Sequence, residues 1–211
     1  MKEKLTYERI IWLFVIGCLI GFGVETIWYF LKHQVLINKQ GLLYGPFKPV
    51  YGFGVVLLTI LLINYKDEKN WKIFLFGVVI GTIFEYFCSI FQEIFFGTYT
   101  WTYAHFKYSI SDRIYLPYCI GWGILTLIWI KVIYPFIVKH LAKLPKNINF
   151  YCVVCLTVFM LANLILTSLA VDRMAERANG LQPKSRIDLV VDKFYPDEIM
   201  QKKFPKLRVI K

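Results

Sequence analysis

Residues 10–31 read IIWLFVIGCLIGFGVETIWYFL and hold a single charged side chain, Glu25, in 22 positions. A helix that crosses the hydrocarbon core of a bilayer needs about 20 mainly apolar residues. The apolar region of a cleaved signal peptide is only about 7–15 residues long. We therefore expect this stretch to remain in the protein as a membrane helix.

Four further apolar stretches follow along the chain, and the second of the five is short for a membrane span. Backbone polar groups inside a bilayer must be hydrogen-bonded within their own segment, which favours helices. The predicted fold is all-α: a polytopic transmembrane bundle of about five membrane helices. The stretches are residues 10–31, 51–64, 72–95, 114–138 and 149–171.

The composition agrees with a membrane protein. Hydrophobic residues make up 57% of the 211 positions and charged residues 18%, against about 25% charged in soluble domains. The net charge of +11 is spread evenly over both predicted faces, so the expected partner is the lipid bilayer and not a nucleic acid. The Lys/Arg residues of the loops are tied between the two sides, so they fix no orientation.

The last forty residues differ from the rest. Residues 172–211 hold ten Lys/Arg and six Asp/Glu, with Pro183, Pro196 and Pro205 set to interrupt any long helix. We predict two domains, a transmembrane bundle over residues 1–171 and a soluble basic tail over residues 172–211. The tail either lies against anionic headgroups or is simply solvated.

The cysteines and histidines predict neither a metal site nor a disulfide framework. All five cysteines fall inside the predicted spans, and Cys152 and Cys155 form a C-x-x-C without a second pair or a histidine at metal-site spacing. No Walker motif, G-x-x-x-x-G-K-[ST], occurs. We therefore expect no cofactor, no metal and no ATP hydrolysis by the P-loop route in this chain.

Ionisable residues at membrane depth are costly, and such residues indicate function by default. Glu25 shares a helical face with Gly17 and Gly21, where a neighbouring backbone can approach closely. The alternative is that Glu25 only bonds two helices together. Five polar residues of the third stretch fall on one stripe about 100° wide when placed at 3.6 residues per turn. They are Thr82, Glu85, Ser89, Gln92 and Glu93.

Two carboxylates on one stripe can bind a cation, relay protons or pair with a basic residue. Arg113 is the favoured partner, because its planar fork binds a carboxylate with two hydrogen bonds. The candidate pathway residues are therefore Glu25, Glu85, Ser89, Gln92, Glu93 and Arg113.

A Gly/Pro-rich segment precedes the second stretch, and it cannot begin as regular helix because its prolines lack an N–H. Two interpretations stay open: a re-entrant hairpin that lines a cavity, or a tight turn that feeds the second helix. In either case the segment is a candidate gate or lining. Its key residues are Tyr44, Gly45, Pro46, Pro49, Tyr51 and Gly52.

Several motifs in succession resemble a family of bacterial membrane proteins, the ABC-transporter type IV permeases. Residues 38–54 resemble its N-R-G-x-L-x-G-P-x-x-P-I-Y-G-F-G stretch, and Glu25 takes the place of the glutamate in its early G-W-x-x-E. The resemblance covers roughly residues 10–172 and implies a multi-pass permease of the bacterial cytoplasmic membrane. Further matches are Glu85-Tyr86, Glu93, Phe96, residues 101–104, Arg113-Ile114, Leu116 and Trp122-Gly123.

The chain departs from that pattern at two places. Where the family has Trp-Asp-Tyr-Ser, residues 101–104 read Trp-Thr-Tyr-Ala, and Asp112 replaces the glycine before Arg113. An acid and a hydroxyl are therefore missing, or the acid has moved to Asp112.

Three functions fit these observations. The first is a transporter component that works with a separate ATPase subunit, an ion gradient or further copies of itself. The second is an intramembrane or interfacial enzyme acting on a lipid-linked substrate, with Glu85 or Glu93 as acid/base and Arg113 and Lys107 holding phosphate. The third is a non-catalytic membrane scaffold whose tail recruits a partner.

Overall fold

A computed structural model describes residues 5–210. Lys2 and Lys4, which were counted among the Lys/Arg residues of the two predicted membrane faces, lie outside the described residues. The protein is 71% helical with little sheet, which confirms the all-α prediction. Within the described part, the helices are α1 (Tyr7–His33), α2 (Pro49–Leu62), α3 (Asn70–Phe96), α4 (Leu116–Ile128), α5 (Tyr134–Leu141), α6 (Lys146–Ala178), α7 (Arg186–Phe194) and α8 (Asp197–Lys203).

Four helical segments within residues 5–210 are long and apolar enough to cross a membrane: Tyr7–His33, Asn70–Phe96, Leu116–Leu141 and Lys146–Ala178. They contain the predicted stretches 10–31, 72–95 and 149–171 and nearly all of 114–138. The remaining stretch forms a shorter apolar helix, Pro49–Tyr65, in which a 3₁₀ turn, Ile63–Tyr65, extends α2. Large apolar side chains face outward, as a lipid-facing surface requires; Phe87 and Ile94 on α3 are 63% and 73% exposed.

The third long span is irregular where α4 passes into α5. Trp129–Ile133 form a π turn between the two helices. Pro135 follows directly, and a proline has no N–H to donate to the carbonyl four residues earlier. The wider turn is a recognised way of accommodating such a break.

Glycines bring the helices together in pairs. A Cβ placed on Gly21 of α1 would lie 2.2 Å from the Tyr51 ring of α2, and one on Gly52 would lie 2.4 Å from Cys18 Sγ. On α3, a Cβ on Gly81 would lie 2.5 Å from the Trp122 ring of α4. The α1–α2 and α3–α4 contacts therefore depend on positions without side chains.

The Gly/Pro segment lies deep beside two long helices. The Lys48 N–H donates to the Cys18 carbonyl at 3.1 Å, and Cys18 precedes the end of α1 by about 22 Å at about 1.5 Å per residue. The chain thus returns to the middle of α1 before α2 begins, which explains why α2 is short. On the other side, Asn163 of α6 accepts a bond from the Tyr44 N–H at 3.2 Å and donates to the Tyr44 carbonyl at 2.7 Å.

Residues 186–210 fold onto the bundle. Met174 of α6 packs with Val191, Met200 and Phe204 of the tail and with Leu43 of the Gly/Pro region. Two short antiparallel pairs complete the fold: β1 (Thr98–Tyr99) with β4 (Arg208–Val209), and β2 (Ser109–Ile110) with β3 (Ile114–Tyr115). The division between bundle and tail at residues 171 and 172 stays a prediction, and α6 runs across it.

Arginines at the end of α6 fix α7. Arg173 donates to both oxygens of Asp192, at 3.1 and 2.7 Å, and Arg177 reaches the same carboxylate at 2.5 Å. The bonds from Arg173, followed by those from Arg177, hold the pKa of Asp192 below its ordinary value against the opposing effect of burial.

The predicted helix breaks also occur: α6, α7 and α8 all end before a proline.

Candidate functional site

A continuous set of polar side chains runs between the helices toward the end of the bundle that carries the tail. We call it the polar seam, and most of its members come from α1, α3 and the loops before α2 and α4. It consists of Glu25, Lys48, Tyr51, Glu85, Ser89, Glu93 and Arg113.

Glu25 forms an ion pair with Lys48, the residue that precedes α2. The Lys48 side chain is only 12% exposed and that of Glu25 26%, so the pair is shielded from water. Tyr51 lies one turn further on, within hydrogen-bonding reach of Glu25 and within the electrostatic influence of Glu85. The Tyr51 ring stacks against Trp122, a hydrogen-bond donor to Glu85, with 5.9 Å between ring centroids. Tyr51 of α2 therefore lies between the carboxylates of Glu25 and Glu85.

Glu85 lies at the centre of the seam and is 7% exposed. Its carboxylate accepts one hydrogen bond from the Tyr103 hydroxyl and one from Trp122 Nε1, both at 2.9 Å. Among residues 5–210, no lysine or arginine forms an ion pair with it. Two neutral donors therefore hold this carboxylate, whereas cations hold the other two.

Arg113 closes the outer end of the seam. Its guanidinium forms an ion pair with Glu93 and donates to the buried Ser89 hydroxyl at 3.0 Å. This pairing confirms the sequence prediction that Arg113 closes on a glutamate. Gln92, also predicted as a pathway residue, instead bonds Thr100 Oγ1 at 2.7 Å and so ties α3 to the following loop.

The loop between α3 and α4 places both Arg113 and Tyr103. Ser111 and Asp112 have φ of 51° and 56°, the left-handed region in which glycine costs least and aspartate is tolerated. The family pattern that this chain resembles has a glycine at the position of Asp112. The positive φ of this turn explains why glycine suits that position. The Asp112 carbonyl accepts from the Tyr103 N–H at 2.8 Å. Burial first, and then Glu85, raise the pKa of the Tyr103 phenol, so it stays a hydrogen-bond donor.

The predicted gate residues form a compact turn. Gly45 has φ of 77°, a conformation that a side chain would strain. The Leu43 N–H donates to Thr167 Oγ1 at 3.0 Å, and the Tyr44 hydroxyl bonds the Tyr195 hydroxyl of the tail at 2.7 Å. Pro46 follows within the turn, and Pro49 is the first residue of α2. The segment is thus held by hydrogen bonds to α6 and to the tail.

A cavity and the cysteines are not part of the seam. A cavity of about 130 Å³ opens at the start of α1, lined by Glu8, Arg9, Trp12 and Asn149 among others. Cys18, Cys88, Cys119, Cys152 and Cys155 are all free. No group of three or more metal-ligating side chains converges anywhere within residues 5–210.

Three contacts of the seam are not predicted by the sequence. Lys48 was not assigned as a partner of Glu25, and neither Tyr103 nor Trp122 was assigned as a donor to Glu85. Both aromatics lie in segments that resemble the family pattern, so the resemblance was the signal that pointed to them. Thr82 shares the predicted stripe, but its hydroxyl has no hydrogen-bond partner within the described residues.

The family model described as "Putative ABC-transporter type IV" matches residues 12–168. The chain belongs to this family. No curated protein and no solved structure matches it. The matched region of the ABC-transporter type IV family contains α2, α3 and α4 in full, together with every member of the polar seam. The family and the four apolar segments together identify the chain as a membrane protein related to ABC-transporter components.

Proposed function

We propose that the chain is the membrane-embedded permease component of a transporter of the bacterial cytoplasmic membrane, with the polar seam as its solute pathway. Glu25, Glu85, Ser89, Gln92, Glu93 and Arg113 are the proposed pathway residues. The Gly/Pro segment at residues 44–52 is the proposed gate. The observation that carries the proposal is Glu85, a buried carboxylate inside an apolar span that is held by two neutral donors and by no ion pair among residues 5–210.

The balance of charge along the seam suggests the kind of solute. Glu25 and Glu93 are each neutralised by a basic side chain, whereas Glu85 is held by a phenol and an indole. A carboxylate in this setting attracts a cation or a proton, because desolvated charge favours a compensating charge. A cationic solute or a proton therefore fits the pathway better than an anion does.

The gate role rests on how the Gly/Pro segment is attached. Its backbone bonds to two side chains of α6, Asn163 and Thr167, and its Lys48 belongs to the seam through Glu25. A movement of the segment therefore changes the seam directly. Irregular backbone beside membrane helices is tolerated where protein covers it or where it lines a watery cavity.

Residues 1–211 contain no Walker motif, so transport would need an energy source other than ATP hydrolysis by a P-loop in these residues. A separate ATPase subunit or an ion gradient is the proposed source, and a second copy of the chain is the other proposed partner. Downhill movement under an imposed gradient is the simplest test, because it needs no ATPase.

The test uses proteoliposomes with an imposed gradient of protons, Rb⁺ or Ca²⁺, comparing the wild-type chain with Glu85→Gln. We expect the wild-type protein to pass at least one of these cations and Glu85→Gln to reduce the flux at least about tenfold, as the loss of about 1.4 kcal/mol of interaction would. Glu198→Gln on α8 makes the same chemical change outside the seam and should leave the flux unchanged. Equal flux in wild-type, Glu85→Gln and protein-free vesicles would contradict the pathway.

A further inference from the structure

Three lysines from two distant parts of the chain converge at the tail end of α1. Lys39 and Lys48 come from the region between α1 and α2, and Lys206 comes from the turn before β4. The Lys39 Nζ lies 4.3 Å from the centroid of the Tyr29 ring, and the Lys206 Nζ lies 5.2 Å from the same centroid. We call Lys39, Lys48 and Lys206 the lysine cluster.

The cluster carries more positive charge than its surroundings neutralise. Glu25 is the carboxylate that acts on Lys39, and it is already paired with Lys48. Within residues 5–210, neither Lys39 nor Lys206 forms an ion pair. Two ammonium groups therefore share one aromatic ring without an anionic partner, although like charges at this spacing repel.

Burial adds to the cost at Lys39. The residue is half-buried, and its pKa is lowered by burial first, with Lys48 and Lys206 acting in the same direction and Glu25 opposing them. A negatively charged ligand among the three lysines would offset the repulsion between them and compensate in part for the burial of Lys39. The Tyr29 ring would hold the ammonium groups in place by cation–π contact.

We propose that the lysine cluster and Tyr29 form a binding site for a phosphate-bearing anion. Lysine ammonium groups bind phosphate as point charges without needing a fixed fork geometry. Such a phosphate belongs either to the headgroup of an anionic phospholipid or to a free phosphate ion.

The surface beside the cluster is apolar. Val35 and Leu36, close to Lys39 in the chain, are 55% and 72% exposed, and Leu31 at the end of α1 is 64% exposed. Exposed apolar residues next to basic ones are typical of a surface in contact with acyl chains and headgroups. This arrangement favours the phospholipid as the source.

The site does not depend on the proposed transport function, because binding can be measured without flux. The full-length protein in detergent is titrated with dioleoyl phosphatidylglycerol or with dioleoyl phosphatidylcholine, and bound lipids are counted by native mass spectrometry. We expect phosphatidylglycerol to bind wild-type protein at least about tenfold more tightly, since basic residues near a surface each favour anionic lipid.

Matched variants separate the site from general charge. Lys39→Gln with Lys206→Gln should weaken phosphatidylglycerol binding about tenfold or more. Lys193→Gln with Lys202→Gln removes the same charge from the tail outside the cluster and should leave binding within about twofold of wild type. Lys206→Gln alone changes one exposed side chain and should give a smaller loss in the same direction, which protects the test if the double variant misfolds.

Inorganic phosphate distinguishes the two sources. Competition at millimolar phosphate would assign recognition to the phosphate alone, whereas continued lipid binding would assign it to the whole headgroup; both results support the site. Equal binding of the two lipids to wild-type protein would overturn the proposal. So would an equal loss in the two double variants.

Discussion

Replacing Glu85 by methionine tests whether its two hydrogen bonds hold α3, α4 and the intervening loop together. Methionine keeps the length of the side chain but has no oxygen to accept the hydrogen bonds that the Trp122 indole and the Tyr103 hydroxyl donate to Glu85. The indole N–H belongs to a residue that is 9% exposed, and a buried donor without an acceptor costs about 1–3 kcal/mol. The half-buried Tyr103 hydroxyl adds less, because water can reach it, so the expected total is about 2–4 kcal/mol.

Glutamine at the same position should cost much less. Its Oε1 can accept from Trp122, which only donates, while its Nε2 donates to Tyr103, whose hydroxyl can reverse its role. Both hydrogen bonds survive, so the expected loss is about 1 kcal/mol or less. Glu85→Gln is for that reason also the suitable variant for the flux experiment, because it removes the charge and keeps the packing.

The assay is equilibrium unfolding in mixed micelles of dodecyl maltoside and dodecyl sulfate, followed by the far-ultraviolet circular dichroism of the helices. Ile83→Met on the exposed face of α3 is the control and should stay within about 0.5 kcal/mol of wild type. Adding Trp122→Phe to Glu85→Met should cost little more than Glu85→Met alone, because the unsatisfied donor is then gone. If Glu85→Met were as stable as Glu85→Gln, the two hydrogen bonds would contribute nothing measurable and the argument would fail.

Two further substitutions test the packing. Gly21→Ala puts a Cβ about 2.2 Å from the Tyr51 ring and should lower the free energy of unfolding by about 1–3 kcal/mol, whereas Gly23→Ala, with nothing within 4 Å, should be neutral or stabilising in the same micelle assay. Asp192→Asn should expose the tail to limited proteolysis at a loss of about 1.5–3 kcal/mol, and more than Asp197→Asn does, since the latter side chain is 50% exposed. The pKa of Asp192 is lowered on folding, so the contribution of its carboxylate to stability is complete above about pH 4 and is lost as the pH falls through the folded pKa. Limited proteolysis measured against pH should therefore show the tail released at acid pH in the wild-type protein. Asp192→Asn should not show this release.

The membrane helices could be predicted because each long span is a nearly uninterrupted apolar run. Periodicity placed Glu85, Ser89 and Glu93 on one side of α3, and the preference of arginine for carboxylates indicated the Arg113 pair. These signals are local, so a single sequence carries them.

The remaining contacts depend on chain segments that meet only in the folded protein. Lys48 reaches Glu25 because the Gly/Pro segment returns to the middle of α1, and no spacing in the sequence predicts that return. From the sequence alone Tyr103 is one of several aromatics near helix ends, where anchoring at the membrane interface is the usual role. Its contact with Glu85 depends on the left-handed turn at Ser111 and Asp112. The packing of the tail was equally hidden, since its helices are short and each contributes only a few apolar side chains.

The pairing of β4 with β1 also sets the order in which the protein can be completed during synthesis. Thr98 pairs with Val209, so this ladder cannot form until synthesis has passed residue 209. At a typical rate of about 5–20 residues per second, the last forty residues take about 2–8 s to appear. During that interval the membrane helices are already made, while Lys206 and the tail contacts above Tyr44 are still missing. The newly inserted bundle therefore passes through a stage in which the Gly/Pro segment is held by α1 and α6 but still lacks its hydrogen bond to Tyr195 of the tail.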